Sequence, residues 1–168
     1  VKMGGTTYIY GSPFSGKSYI TFQFLINLSR AFGLKHAIMS SETGNPSDIF
    51  IELIQMYIGE DFYNDYNKQM SNEKVEEAKN FLRKHFIIID SVEQNLTPND
   101  FYEYVNTLER VYNVKIHCTV VDPFNELYHD IRDGQTQLYY ERILGYIRKD
   151  AYKYDRHNFI VTHTIKSE

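Results

Sequence analysis

The chain has 168 residues, enough for one domain with a full-sized core, and its 42% hydrophobic and 24% charged content excludes a disordered or fibrous protein. A net charge of −4 excludes a global basic footprint for nucleic acid and leaves only a local basic loop open. The single cysteine, Cys118, excludes an internal disulfide framework and fits a reducing compartment such as a cytosol, no apolar run approaches the ~20 residues of a membrane span, and no signal-peptide pattern opens the chain.

Taken in order, Thr6 to Tyr10 is a short β-prone run ending at Gly11 and reads as a strand. Lys17 to Phe32 follows as a helix, apolar on most sides as a buried helix is. His36 to Ser40 reads as a second strand, Pro46 to Ile58 as a helix, and Asn72 to His85 as a further helix, mostly charged and exposed. Phe86 to Ile89 is a continuous apolar strand. Thr97-Pro98-Asn99-Asp100 is a helix start: a capping Thr, Pro at the first helical position and an acid three residues on. Phe101, Tyr104, Val105, Leu108 and Tyr112 then recur at helical spacing. Ile116 to Val121 is the next strand, Thr136 to Tyr152 a helix, and Asn158 to Thr162 the last strand.

Strands thus alternate with helices, and several strands are apolar on both faces. That pattern is an α/β fold, a mostly parallel sheet with helices on both faces, whose ligands sit at the carboxyl ends of the strands. There is no internal repeat and no low-complexity tract, so residues 1–168 read as a single domain. Both ends lie close to a strand, which leads us to expect a piece of a longer protein.

Gly11-Ser12-Pro13-Phe14-Ser15-Gly16-Lys17-Ser18 is the one match to GxxxxGK[ST], placed between a predicted strand and a predicted helix as that motif requires. Glycines let the backbone bend until successive N–H groups point at phosphate oxygens, and the helix N-terminus adds partial positive charge. Lys17 then reaches the β- and γ-phosphates of ATP, and the Ser18 hydroxyl helps hold Mg²⁺. We take Gly11 through Tyr19 as the nucleotide-binding segment.

Magnesium needs an acidic partner on a neighbouring strand end. Asp90 and Asp122 both end apolar strands, and periodicity does not choose between them. Glu42, just past the strand ending at Ser40-Ser41, is placed to orient or deprotonate an attacking water. His163, at the end of the last strand, is placed to contact the γ-phosphate. A solvated glutamate and a strand-end histidine satisfied by water are the plainer readings of the last two.

Together these segments resemble the ATPase domain of replicative DnaB-type helicases, within the RecA-like class of P-loop proteins. Ser40-Ser41-Glu42-Thr43 sits where that family has Ser-Leu-Glu-Met, with only Ser40 and Glu42 matching. Val120 to Leu127, with its Asp122-Pro123-Phe124-Asn125 core, is similar to the Asp-Pro-Trp/Tyr-Asn magnesium strand of Twinkle-like mitochondrial and phage helicases. Phe159 to His163 resembles the family's last core strand. The resemblance implies Asp122 rather than Asp90 at the metal, Glu42 as catalytic base, and His163 as the group that registers γ-phosphate loss.

It further implies a homo-hexameric ring in the full-length protein. ATP then lies between subunits, a neighbour supplies an arginine finger from a segment beyond Glu168, and channel loops hold single-stranded DNA. Tyr128 to Gln135, with Arg132, falls where one such loop lies, and Lys166 begins a second. The motor of a replicative helicase, driving translocation on single-stranded DNA, is the function so implied. Other readings are a different RecA-like ATPase such as a recombinase or KaiC-like regulator, a nucleotide-binding assembly module, and a P-loop small-molecule kinase. The last would need an arginine-rich lid, and none is evident.

Overall fold

The computed structural model describes residues 1–41, 45–61, 70–90, 96–131 and 134–163. Five strands, β1 (Thr6–Gly11), β2 (His36–Ser40), β3 (Phe86–Ile89), β4 (Cys118–Asp122) and β5 (His157–His163), form one sheet in the order β1-β5-β4-β2-β3. Every neighbouring pair is parallel. The helices α1 (Lys17–Phe32), α2 (Pro46–Ile58), α3 (Asn72–His85), α4 (Pro98–Tyr112) and α5 (Thr136–Lys153) connect them.

Side chains alternate across each strand, and the two faces make two cores. Ile38, Val120, Phe159 and Val161 pack with Phe22, Leu25, Leu53 and Leu82 of α1, α2 and α3. Ala37, Met39, Val121 and Ile160 pack with Phe101, Val105, Ile143 and Ile147 of α4 and α5. The inner strands β2 and β4 are buried along their whole length, whereas β1 at the edge is not. This accounts for the continuous apolar runs, since a parallel strand covered on both sides has no polar face to show.

Local signals set the helix ends. Asn45 caps α2, its side-chain oxygen accepting from the N–H of Ser47 at 2.9 Å and of Asp48 at 3.1 Å. The expected capping box at α4 is present: Thr97 Oγ1 accepts from Asp100 N at 3.2 Å, and the Asp100 carboxylate accepts from Thr97 N at 2.9 Å. Three elements differ from their expected bounds. β4 begins at Cys118, two residues after Ile116, because the N–H of Ile116 goes to the Glu109 carboxylate at 2.7 Å instead of to the ladder. β5 gains one residue at each end, and α5 runs on to Lys153. After β4 a cis Asp122–Pro123 bond leads into a short 3-10 turn, Phe124–Glu126.

β1 feeds α1 on one face of the sheet, while β4 feeds α5 on the other. Connections from adjacent strands that leave toward opposite faces open a crevice at the carboxyl ends. β2 likewise feeds α2 on the first face, so the adjacent strands β4 and β2 meet this condition, and the crevice lies between them.

Candidate functional site

The loop between β1 and α1 lies at this same carboxyl end of the sheet, two strands from β4. Gly16, the cap of α1, has φ 81°, a left-handed conformation that an L side chain rarely adopts. Gly11 is needed for space: a Cβ there would come within 3.2 Å of Ser15 Oγ and 3.5 Å of Lys17 Cδ. Phe14 also has positive φ, at 58°, with its ring 96% exposed, so the loop turns its bulkiest side chain outward. Ser12 through Gly16 are exposed, Ser18 is half-buried, and Lys17 is buried.

Lys17 folds back over this loop. Its Nζ donates to Ser12 O at 2.8 Å and lies 3.3 Å from Nδ1 of His163. The register places His163 directly opposite Gly11 across the β1–β5 pair, so two residues far apart in sequence meet at the loop's base. Asn125, in the 3-10 turn after β4, ties this strand end down: its Oδ1 accepts from Thr162 Oγ1 at 3.0 Å and from the His163 N–H at 2.9 Å. Thus the phosphate-loop strand, the last strand and the turn after Asp122 form one connected unit.

Sheet order separates the two aspartates. Asp122 ends β4, two strands from β1, whereas Asp90 follows β3, four strands away. At about 4.8 Å per strand these are spans of roughly 10 and 19 Å. Asp122 is 1% exposed, stands opposite Ser40 in the register, and its carbonyl accepts from Ser41 N at 3.0 Å. Asp90 is exposed, beside a groove lined by Leu96 and Leu108. Glu42, Arg132 and Lys166 lie outside the described residues; Ser41, one residue before Glu42, is held beside Asp122.

One carboxylate near the site went unread in the sequence. Glu52 of α2 is half-buried, with its proton affinity raised first by burial and then by the negative charge of Asp122. It lines a cavity of about 350 Å³ with Tyr19, the residue after Ser18, and with Gln55 and Glu60. The available signal was a single acid inside the apolar run Ile51-Glu52-Leu53-Ile54.

The donor set fits magnesium held largely by a nucleotide. Mg²⁺ is typically bound by one or two protein oxygens, with phosphates and water completing its shell. A hydroxyl at Ser18 and a buried carboxylate at Asp122 are of that kind, and among the described residues no group of three or more His, Cys, Asp or Glu offers an all-protein cage. No helix among the described residues is long and apolar enough to cross a membrane.

No protein-family profile matches the chain. In sequence it is 30% identical, over 97% of its length, to the Twinkle homolog protein, chloroplastic/mitochondrial, of Arabidopsis thaliana. It spans 23% of that protein's length. In structure it superimposes on a solved ATPase domain with a TM-score of 0.78 at 16% identity, covering 99% of this chain and 59% of that one. A DnaB-like replicative helicase, described with its interactions with primase, gives 0.77 at 16% identity over 98% of this chain and 41% of its own. The resemblance to DnaB-type and Twinkle-like helicase ATPase domains therefore holds in sequence and in fold, and the fold is RecA-like.

Proposed function

We propose that this RecA-like domain is the ATP-hydrolysing motor of a DnaB- or Twinkle-like helicase, coupling hydrolysis to movement along single-stranded DNA. The observation that carries the reading is the approach of Lys17 Nζ to His163 Nδ1 at 3.3 Å, with His163 fixed by Asn125 behind the aspartate strand. A cation over the phosphate loop, joined to the end of the last core strand, links the nucleotide to the segment that follows His163.

In this mechanism the loop amides and Lys17 cradle the β- and γ-phosphates and stabilise charge at the transferring phosphoryl. Ser18 and Asp122 would hold Mg²⁺, which would supply positive charge to the phosphate oxygens. Glu42 orients and deprotonates the attacking water. His163 trades its contact with Lys17 for one with the γ-phosphate, so phosphate loss shifts the strand end that Asn125 ties to the turn after β4. Arg132 and Lys166 contact the DNA strand in the channel. Residues 1–168 act as one domain of a longer, homo-hexameric protein, in which a neighbour supplies the arginine finger.

The test is ATP hydrolysis by the full-length parent, with and without single-stranded DNA, beside its Glu42→Gln and Lys17→Ala variants. DNA should stimulate hydrolysis. Glu42→Gln should lower turnover by about 10²-fold or more while nucleotide still binds, and Lys17→Ala should weaken both. Hydrolysis indifferent to DNA would leave an ATPase of the same fold and remove the helicase assignment.

A further inference from the structure

A large cleft, about 960 Å³, lies far from the phosphate loop, between the carboxyl-terminal halves of α4 and α5. These halves lead into β4 and β5, so the cleft sits at the amino end of the sheet. Its charge is unlike the rest of the molecule. Arg110 of α4 and Arg148, Lys149 and Lys153 of α5 line it, against Glu103 and Asp150. Asp150 is buried and already engaged, 3.7 Å from Arg156 Nε and accepting from Asn106 Nδ2 at 3.3 Å. The exposed lining charge is therefore four cations to one carboxylate, in a chain of net charge −4.

Tyrosines fill the space between the cations. Tyr146, Tyr152 and Tyr154 all line the cleft, and Tyr152 is 82% exposed. Tyr154 lies under two positive groups, Lys153 Nζ at 5.0 Å and the Arg156 guanidinium at 4.6 Å from its centroid. Arg156 is fully buried behind it and paired with Glu109 at 2.9 Å and Asp150 at 3.7 Å, so the floor is a neutralised ionic cluster and the positive charge of the cleft is that of the exposed cations. Cations held within about 10 Å of one another repel, and an anionic ligand relieves that repulsion. Flat aromatic faces set among them add a requirement that an acidic peptide does not meet and a duplex hides: accessible planar bases.

We propose that the cleft between α4 and α5 binds single-stranded nucleic acid, phosphates on Arg110, Arg148, Lys149 and Lys153 and bases against Tyr152 and Tyr154. The surface is separate from the loops at the carboxyl edge and does not depend on the motor assignment. Loss of DNA-stimulated hydrolysis in the parent would leave it standing.

The experiment is a fluorescence-anisotropy titration of this chain with a labelled oligothymidylate at about 50 mM salt, repeated at rising salt. The double variant Arg148→Ala/Lys149→Ala should bind at least about tenfold more weakly, with the log–log salt slope smaller by ~0.7 for each cation removed. Tyr152→Ala should weaken binding about fivefold or more with the slope unchanged, because stacking releases no counterions. Arg83→Ala/Lys84→Ala, a charge-matched pair on α3 at the opposite face, should change nothing. The proposal fails if the oligonucleotide does not bind. It fails equally if the α3 pair weakens binding as much as the cleft pair does. It also fails if Tyr152→Ala is without effect while poly-glutamate displaces the oligonucleotide, which would make the cleft a seat for an acidic protein segment.

Discussion

The two ends of the sheet handle polar groups in opposite ways. At the carboxyl end the loop from Gly11 to Ser18 gathers polar residues that are neighbours in sequence, with Ser12 through Gly16 exposed, and Asn125 and His163 join it from other strand ends. The loop backbone is held in left-handed turns at Phe14 and Gly16. At the amino end, beneath the exposed cations of the α4–α5 cleft, a second polar set comes from far apart and is sealed in. Arg156 donates to Asn106 at 2.6 Å and to Glu109 at 2.9 Å, Thr119 donates to Asn158 at 2.7 Å, and Asn158 donates to Ile147 O at 3.0 Å. The loop keeps its donors available to a ligand. The buried amino-end set uses its own to lock α4 and α5 onto β4 and β5. Polarity buried with its partners fixes geometry, whereas polarity left at a strand end is available for chemistry.

The contrast breaks most directly at Arg156. It is fully buried between Glu109 and Asp150, whose side chains are 13% and 2% exposed. Arg156→Ala strands two carboxylates and should cost about 3–5 kcal/mol in a urea titration at pH 7. The loss should be smaller near pH 5, because Asp150, whose proton affinity burial already raises, can then go neutral. Lys17→Ala should change stability by no more than about 1 kcal/mol. Equal losses from the two changes would mean that the phosphate loop is as much a structural lock as the arginine cluster.

A second lock gives a smaller, pH-dependent effect. His36 is fully buried, its Nε2 2.9 Å from Ser29 Oγ. Burial, then the nearby His117 and His85, lowers its pKa to about 3. The unfolded chain therefore binds the proton first, from about 6.5 downward, and the stability present above that value drains away as pH falls toward about 3. One such group contributes a slope of about 1.4 kcal/mol per pH unit. Unfolding free energies measured from pH 7 to pH 5 should follow that slope, with smaller additions from the more exposed His117 and His157. His36→Gln should flatten it by close to one proton. An unchanged slope would place the acid sensitivity elsewhere.

This division also decides what could be read from the sequence. The Gly11–Ser18 loop was legible as a turn from strand to helix because its signal is local: eight consecutive residues, a strand before and a helix after. Asp122 and Asp90 were equivalent by pattern, since both end apolar strands. What distinguishes them is a sheet order that carries β3 to the far edge, a property of no single segment. The Lys17–His163 contact, 146 residues apart, depends on that same order. Arg156 resembles any arginine between a helix and a strand, and its burial follows only from α4 bringing Asn106 and Glu109 alongside. Ile116 has the pattern of a strand residue, but a side-chain carboxylate takes its N–H. In each case the missing term was a partner distant in sequence or in the next element.

Glu52 lies between the two regimes and should give the smallest effect. It is half-buried like a lock but has the charge of Asp122 as its neighbour, like a site residue. Its folded-state pKa lies above the ordinary 4.5, so the native state holds the proton longer than the unfolded one. Stability therefore declines as pH rises from about 4.5 through the elevated value, opposite in sign to the His36 slope. Half-exposure screens the effect, and Glu52→Gln should raise stability at neutral pH by only a few tenths of a kcal/mol. The sharper readout is the Glu52 carboxyl titration itself, followed by NMR. Asp122→Asn removes a neighbouring negative charge and should move that titration down toward its ordinary value. Magnesium added to the nucleotide-bound protein should move it the same way relative to nucleotide alone, if Asp122 takes the proposed place at the metal. A Glu52 titration that follows the Asp122 substitution but ignores magnesium added to the nucleotide complex would make Glu52 a neighbour of the strand end alone and would remove Asp122 from the proposed metal site.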